Sequence, residues 1–154
     1  MSICGRKWVK LMFIGQYQNN MDAKKRLTFP AKFRSQLTGS VYVTKGLDGC
    51  ISVYTPEKWQ EVYNSLMELQ YTKKDARTYV RQVVTNAAEL EFDASGRINI
   101  PLHLCESAGL TKECSIVGVG EQIEIWDVEK WNEYNLANAD KFEDAADELI
   151  DIDF

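Results

Sequence analysis

At 154 residues, 45% of them hydrophobic, the chain has the length of one compact domain and enough apolar side chains for a real core, which excludes a disordered tail. Four cysteines (Cys4, Cys50, Cys105, Cys114) with no CxxC pair, beside a single histidine, exclude a zinc site or a dithiol motif at usable spacing and read as reduced thiols of a cytosolic protein. The net charge of −5 is unevenly divided: nine cations against one acid from Met1 to Lys45 give +8, while seven acids against one lysine over residues 140–154 give −6, so the acidic total does not exclude a basic nucleic-acid patch.

The opening "MSICGRKWVKLMFIG" has no apolar run long enough for a signal peptide, and no later stretch approaches a membrane span, so the chain reads as soluble and intracellular. A strand is predicted to end near Asp22, followed by a turn and a short alternating strand, "RLTF". Pro30 closes that strand, because it lacks a ladder donor, and can open a short helix, "AKFRSQL". Two strands rich in β-branched and aromatic residues follow, "SVYVTKG" and "CISVY". Thr55 as N-cap with Pro56 at N1 then starts a helix whose apolar face is Trp59, Val62, Tyr63, Leu66 and Leu69. A second helix, "KKDARTYVRQVV", carries Ala76, Tyr79, Val80 and Val83. Beyond it the order starts again: a strand ending near Asp93, a turn, "RINI", Pro101, the short helix "LHLCESAGL", strands "CSIVGVG" and "QIEIW", and a helix. After Trp131 the chain is compatible with a helix but mostly acidic, and fraying is expected.

This recurrence is a duplication. At an offset of 71, Asp22, Ala23, Arg26 and Pro30 fall on Asp93, Ala94, Arg97 and Pro101; at an offset of 72, Gly46, Ile51, Val53 and Tyr54 fall on Gly118, Ile123, Ile125 and Trp126, and "EKW" falls on "EKW". The matches are collinear over about forty residues, and two copies are too few for a solenoid.

The repeated element is Asp-x-x-x-Arg. An Asp at a strand end accepts bonds from backbone N–H groups just beyond it, and an Arg four residues on can return to the carboxylate, presetting the loop. The rest of the guanidinium fork, with neighbouring lysines, then points outward and can take a phosphate or the O6/N7 edge of guanine. The first tip, "DAKKR", has three consecutive cations, Lys24, Lys25 and Arg26, and Lys32 and Arg34 follow Pro30 closely; the second tip, "DASGR", is much less basic. Gly96 suits the positive φ of such a turn, whereas Lys25 in its place implies either strain of about 1 kcal/mol or a different turn type. The competing reading is that each Asp–Arg pair only locks its hairpin.

The stretches "MFIGQYQNNMDAKKRLTFPAKFR", "ELEFDASGRINIPLHL" and "GVGEQIEIWDVEKW" resemble the MraZ family of bacterial transcriptional regulators over roughly Met12 to Tyr134. The resemblance implies an α+β fold in which two tandem SpoVT/AbrB-like swapped-hairpin halves form one pseudo-symmetric β-barrel-like core with flanking helices. The corresponding boundaries are 1–11 for an N-terminal extension, 12–70 for the first half, 71–85 for a connecting helix, 86–134 for the second half and 135–154 for an acidic tail. It further implies a cytoplasmic, nucleoid-associated protein that forms closed, octamer-like homo-oligomeric rings. Such a protein binds short direct repeats upstream of the division and cell-wall gene cluster, usually as a repressor, with no cofactor or metal. Carried over residue by residue, the motif is Asp22 with Arg26 and Asp93 with Arg97, and the basic company of the first tip adds Lys24, Lys25, Lys32 and Arg34. The chain departs from the family pattern in having Lys25 before the first Arg in place of glycine, Asn19 in place of histidine, and eleven residues before Met12.

Two other classes compete with this reading. A hydrolase using Asp22 and Asp93 as a carboxylate pair needs the two turns to converge, and each Asp already has an Arg to keep it ionised. His103 has no evident nucleophile beside it, and "GVGEQ" lacks the spacing of a dinucleotide fingerprint, so an enzyme is not expected. A ring-forming scaffold without DNA specificity would use the aromatics Trp59, Tyr63, Trp131 and Tyr134, which read more simply as packing residues.

Overall fold

The computed structural model describes residues 11–149. The element order follows the duplication: β1 (Phe13–Asn20), β2 (Arg26–Thr28), α1 (Ala31–Arg34), β3 (Ser40–Lys45), β4 (Ile51–Tyr54), α2 (Pro56–Met67) and α3 (Lys74–Thr85), then β5 (Ala88–Glu91), β6 (Arg97–Asn99), α4 (Leu102–Ser107), β7 (Glu113–Gly120), β8 (Ile123–Asp127), α5 (Val128–Asn138) and α6 (Phe142–Glu148). Thr55 caps α2 as its sequence predicts, its hydroxyl accepting from the Lys58 N–H with Pro56 at the first position.

Six strands form one antiparallel sheet in the order β1-β7-β8-β4-β3-β5, and β2 pairs with β6 in a separate ribbon. Exchanging each strand for its counterpart in the other half reverses the six-strand list into itself, which places a pseudo-two-fold between β4 and β8. The outer ladders cross between halves. β1 pairs with β7 over eight residues, from Phe13↔Gly120 to Asn20↔Glu113, and β5 pairs with β3, from Ser40↔Glu91 to Val43↔Ala88. The first strand of each copy thus completes the sheet of the other. The sheet does not close on itself: β1 and β5 are its two edges, so the barrel-like core implied by the family resemblance is corrected to an open sheet closed over by the β2–β6 ribbon and the short helices.

The crossing brings the apolar faces of both halves into one core. Leu27 and Phe29 from the first copy and Ile98 and Ile100 from the second are buried, with Phe13, Phe33, Leu104, Ile116, Ile123 and Ile125, in one cluster drawn from both halves. Burying each such side chain stabilises the fold by about 1.5–3 kcal/mol, and the cluster is shared between the two copies. Phe33 makes T-shaped contacts with both Phe13 and Tyr17, which fixes α1 against β1.

The helices cover the sheet. Trp59 stacks on Tyr42 at 5.6 Å and leans on Tyr54; in the second half Trp131 packs on Trp126 at 5.0 Å and donates through Nε1 to Gln16. The repeated aromatics therefore bind helix to sheet within one chain. The buried Thr44 hydroxyl donates to the Val83 carbonyl and ties α3 to β3. The tail differs from its sequence reading: in place of fraying, the chain is helical from Val128 to Glu148 with one tighter turn at Ala139–Lys141. No helix among the described residues is long and apolar enough to cross a membrane.

Candidate nucleic-acid interface

Both Asp-x-x-x-Arg segments fold into the same turn. In the first, Asp22 Oδ1 accepts from the Lys24 and Arg26 N–H groups, both at 2.9 Å, and Oδ2 accepts from Arg26 Nε at 2.7 Å. In the second, Asp93 Oδ1 accepts from Ser95 at 2.9 Å and Arg97 at 3.0 Å, and Oδ2 accepts from Arg97 Nε at 2.9 Å. The backbone closes each turn identically, Asp22 donating to the Arg26 carbonyl and Asp93 to the Arg97 carbonyl. The residue before each Arg is left-handed, Lys25 at φ 66° and Gly96 at φ 78°, so of the two readings of Lys25 the strained one holds.

The two turns converge, which the sequence reading did not expect. Arg26↔Asn99, Leu27↔Ile98 and Thr28↔Arg97 are register partners in the β2–β6 ribbon. At each end the left-handed residue accepts a bond from the other strand: Gly96 O from Phe29 N at 3.2 Å, and Lys25 O from Ile100 N at 2.9 Å. Strand alternation sends Leu27 and Ile98 into the core and leaves Arg26, Thr28, Arg97 and Asn99 on the outer face. Arg97 Nη1 lies 3.7 Å from Asp22 Oδ2, linking the two pairs directly.

The difference between the copies is compensated across the pseudo-two-fold. Arg34 donates through Nε to the Phe29 carbonyl, and its guanidinium lies over Gly96, where an added Cβ would stand 2.5 Å from Nη1. Its counterpart in the second copy is Cys105, whose thiol points to the matching Ile100 carbonyl and leaves room for the Lys25 side chain. Glycine thus gives the Arg34 guanidinium its place over the second turn, and any side chain there would displace it. Arg34 also brings to the second tip a cation that "DASGR" lacks.

Of the predicted site residues, Asp22, Arg26, Asp93, Arg97 and Arg34 form one cluster, Lys25 sits in the clasp beside it, and Lys24 and Lys32 are exposed, at the first turn and on α1. Thr28 and Asn99 were not singled out from sequence, although the alternation of "RLTF" and "RINI" places them beside the arginines. Asn19, at the position where the family has histidine, donates to the Thr28 carbonyl at 2.7 Å and holds β1 to the ribbon.

Electrostatics keep both carboxylates charged. The N–H of the motif Arg, above all, lowers the pKa of Asp22 and of Asp93, overcoming the opposing effect of partial desolvation, and the guanidinium bond adds to it. A carboxylate whose pKa is lower in the folded than the unfolded chain holds fewer protons when folded. Its contribution is fully present above the unfolded value and disappears as pH falls through the folded one. Both turns are thus expected to stay locked from pH 8 down to 5. Carboxyl carbon resonances of Asp22 and Asp93 should titrate with midpoints below 3.8; midpoints at or above that value would show that the lock is absent in solution.

Nε of each motif arginine is committed to its Asp, Arg97 Nη1 also faces Asp22, and the side chains remain 33% (Arg26) and 30% (Arg97) exposed on the ribbon's outer face. Such preset forks suit phosphate or a guanine edge. They do not suit acid–base hydrolysis: the turns converge, but each carboxylate is already occupied on both oxygens and held ionised. Burial raises the Cys105 thiol and pushes Cys50 and Cys114 up to about 12, which leaves these free thiols protonated at neutral pH. Among the described residues no group of three His, Cys, Asp or Glu side chains is placed to hold a metal.

A family model described as "MraZ protein, putative antitoxin-like" matches the chain twice in tandem, over residues 12–82 and 83–153, at the same 71-residue interval that separates Asp22 from Asp93. With nearly the whole chain covered, and with one Asp-x-x-x-Arg turn in each matched segment, the protein belongs to the MraZ family.

Proposed function

We propose that the protein is a sequence-specific DNA-binding transcriptional regulator, a repressor, that reads short direct repeats with the β2–β6 ribbon. The observation that carries the reading is the pair of Asp-held arginines on one outward face, diagonal neighbours in a single ribbon, with Arg34, Lys24, Lys25 and Lys32 around them. Asp22 and Asp93 fix the forks; Arg26 and Arg97 contact base edges or phosphates; the remaining cations follow the backbone. The clasp between the turns means that this apparatus docks as one rigid unit, with little ordering left to be done on binding. The crossed ladders support assigning each half to the swapped-hairpin SpoVT/AbrB type.

The proposal extends to what the resemblance implies: a cytoplasmic, nucleoid-associated protein acting upstream of the division and cell-wall gene cluster as a closed, octamer-like ring. A ring repeats a modest contact, so tandem sites of matching spacing are held by avidity. Fluorescence anisotropy on DNA from upstream of the protein's own gene, carrying one, two or four repeats, should show affinity rising steeply with repeat number and falling with salt. Equal affinity for one repeat and four, or for a scrambled duplex, would overturn the reading.

A further inference from the structure

We propose that the acidic C-terminal helices of one copy, α5 and α6, dock on the α2–α3 hairpin of a second copy, joining subunits head to tail. The inference rests on the ring reading above and assigns the two surfaces that would close it.

The donor surface is an amphipathic helix whose apolar stripe is exposed among the described residues. Phe142, Ala145, Ala146 and Leu149 recur at i, i+3, i+4 and i+7, the spacing of one apolar stripe, with Glu143, Asp144, Asp147 and Glu148 between them. Phe142 is 77% exposed and Leu136, on the preceding helix, 79%; neither α5 nor α6 buries a residue.

The acceptor surface is an apolar groove with its positive charge on the α3 side: Pro56 to Thr85 carries five cations and four acids, and four of those cations lie from Lys73 onward. Between α2 and α3 lies a groove of about 340 Å³ lined by Val62, Leu66, Leu69 and Tyr79, with Lys58 and Glu61. Met67 and Tyr71 add exposed apolar surface on the same hairpin. From Lys73 to Thr85 there are four cations (Lys73, Lys74, Arg77, Arg81) and one acid, whereas Val128 to Glu148 carries seven acids and two lysines, a net of −5. Opposite fields of this kind steer a contact and reject like-charged alternatives.

The internal duplication gives a further reason. α2 and α5 occupy corresponding places, each holding its Trp on the sheet; α2 is covered by α3, with Leu66 and Val83 buried, while among the described residues no helix covers α5 in the same way. Because donor and acceptor are different patches, the contact is heterologous and generates a ring when its rotation closes.

The test uses the full chain. Light scattering coupled to size exclusion should show the wild type as a multimer, and Leu136→Asp/Phe142→Asp should fall to the 17.6 kDa of one subunit with an unchanged circular dichroism spectrum. Lys73→Glu/Lys74→Glu should do the same. In a Cys4→Ser background, differently tagged Phe142→Cys and Tyr79→Cys chains, mixed and oxidised, should form a disulfide-linked heterodimer. A multimer that survives all these substitutions overturns the docking assignment and leaves the ring reading intact; a wild type that is monomeric at every concentration overturns both. A disulfide that forms only within a chain carrying both cysteines would show that the tail covers its own groove, which also overturns the proposal.

Discussion

Replacing Arg26 and Arg97 together by alanine should abolish selective DNA binding while leaving the protein folded. A guanidinium on a base edge is worth about 1–3 kcal/mol of discrimination, roughly 5- to 150-fold in affinity for each contact, and the repeated tips multiply the loss. The fold should tolerate the change because two of the three bonds to each Asp come from backbone N–H groups, which survive. Arg26→Lys with Arg97→Lys separates charge from geometry: a lysine keeps the cation but cannot bond Asp and present two further donors at once. The lysine variant should therefore retain salt-dependent, unselective binding, and the alanine variant should lose much of that as well. Alanine variants that select DNA as the wild type does would reduce the motifs to turn locks, and attention would pass to the scaffold reading.

The second large effect is on stability. Leu27 and Ile98 face each other across the ribbon, one from each copy, and both are essentially fully buried. Leu27→Ala or Ile98→Ala should each destabilise the protein by about 2–5 kcal/mol, a large share of the roughly 5–15 kcal/mol that domains possess. Because the two side chains are partners, the double variant should depart from additivity. Urea denaturation provides the measurement, and a change below about 1 kcal/mol for either single variant would mean that the ribbon is not anchored through this pair. The milder Ile98→Val, at about 0.5–1.5 kcal/mol, keeps the protein folded enough to test whether loosening the anchor also weakens DNA binding.

What the sequence made legible was what depends on neighbours in the chain. The Asp turn, the capped start of α2 and the alternation of the short strands are all set within about five residues, and each was found where expected. Strand partners are another matter. Nothing within "FIGQYQNN" says that it pairs with "ECSIVGVG", because a hydrophobic alternation specifies a face and not a neighbour. For that reason the convergence of the two turns, the reach of Arg34 to Gly96 and the open edges of the sheet all had to come from the structure. The tail was readable but was weighed by its total charge; its 3.6-residue periodicity, Phe142 to Leu149, was the stronger signal.

The crossed ladders bear on how the protein is made. Asn20 pairs with Glu113, and Phe13 with Gly120, so β1 leaves the ribosome with its partner strand still to be synthesised. At about 5–20 residues per second, β1 waits on the order of 5–20 seconds with its ladder edge open. Until then Leu27 and Phe29 also lack the isoleucines that cover them. The first half is thus a nascent chain that cannot finish folding on its own, and the amount of functional regulator in a cell depends on how well that interval is protected from neighbouring chains emerging from the same message.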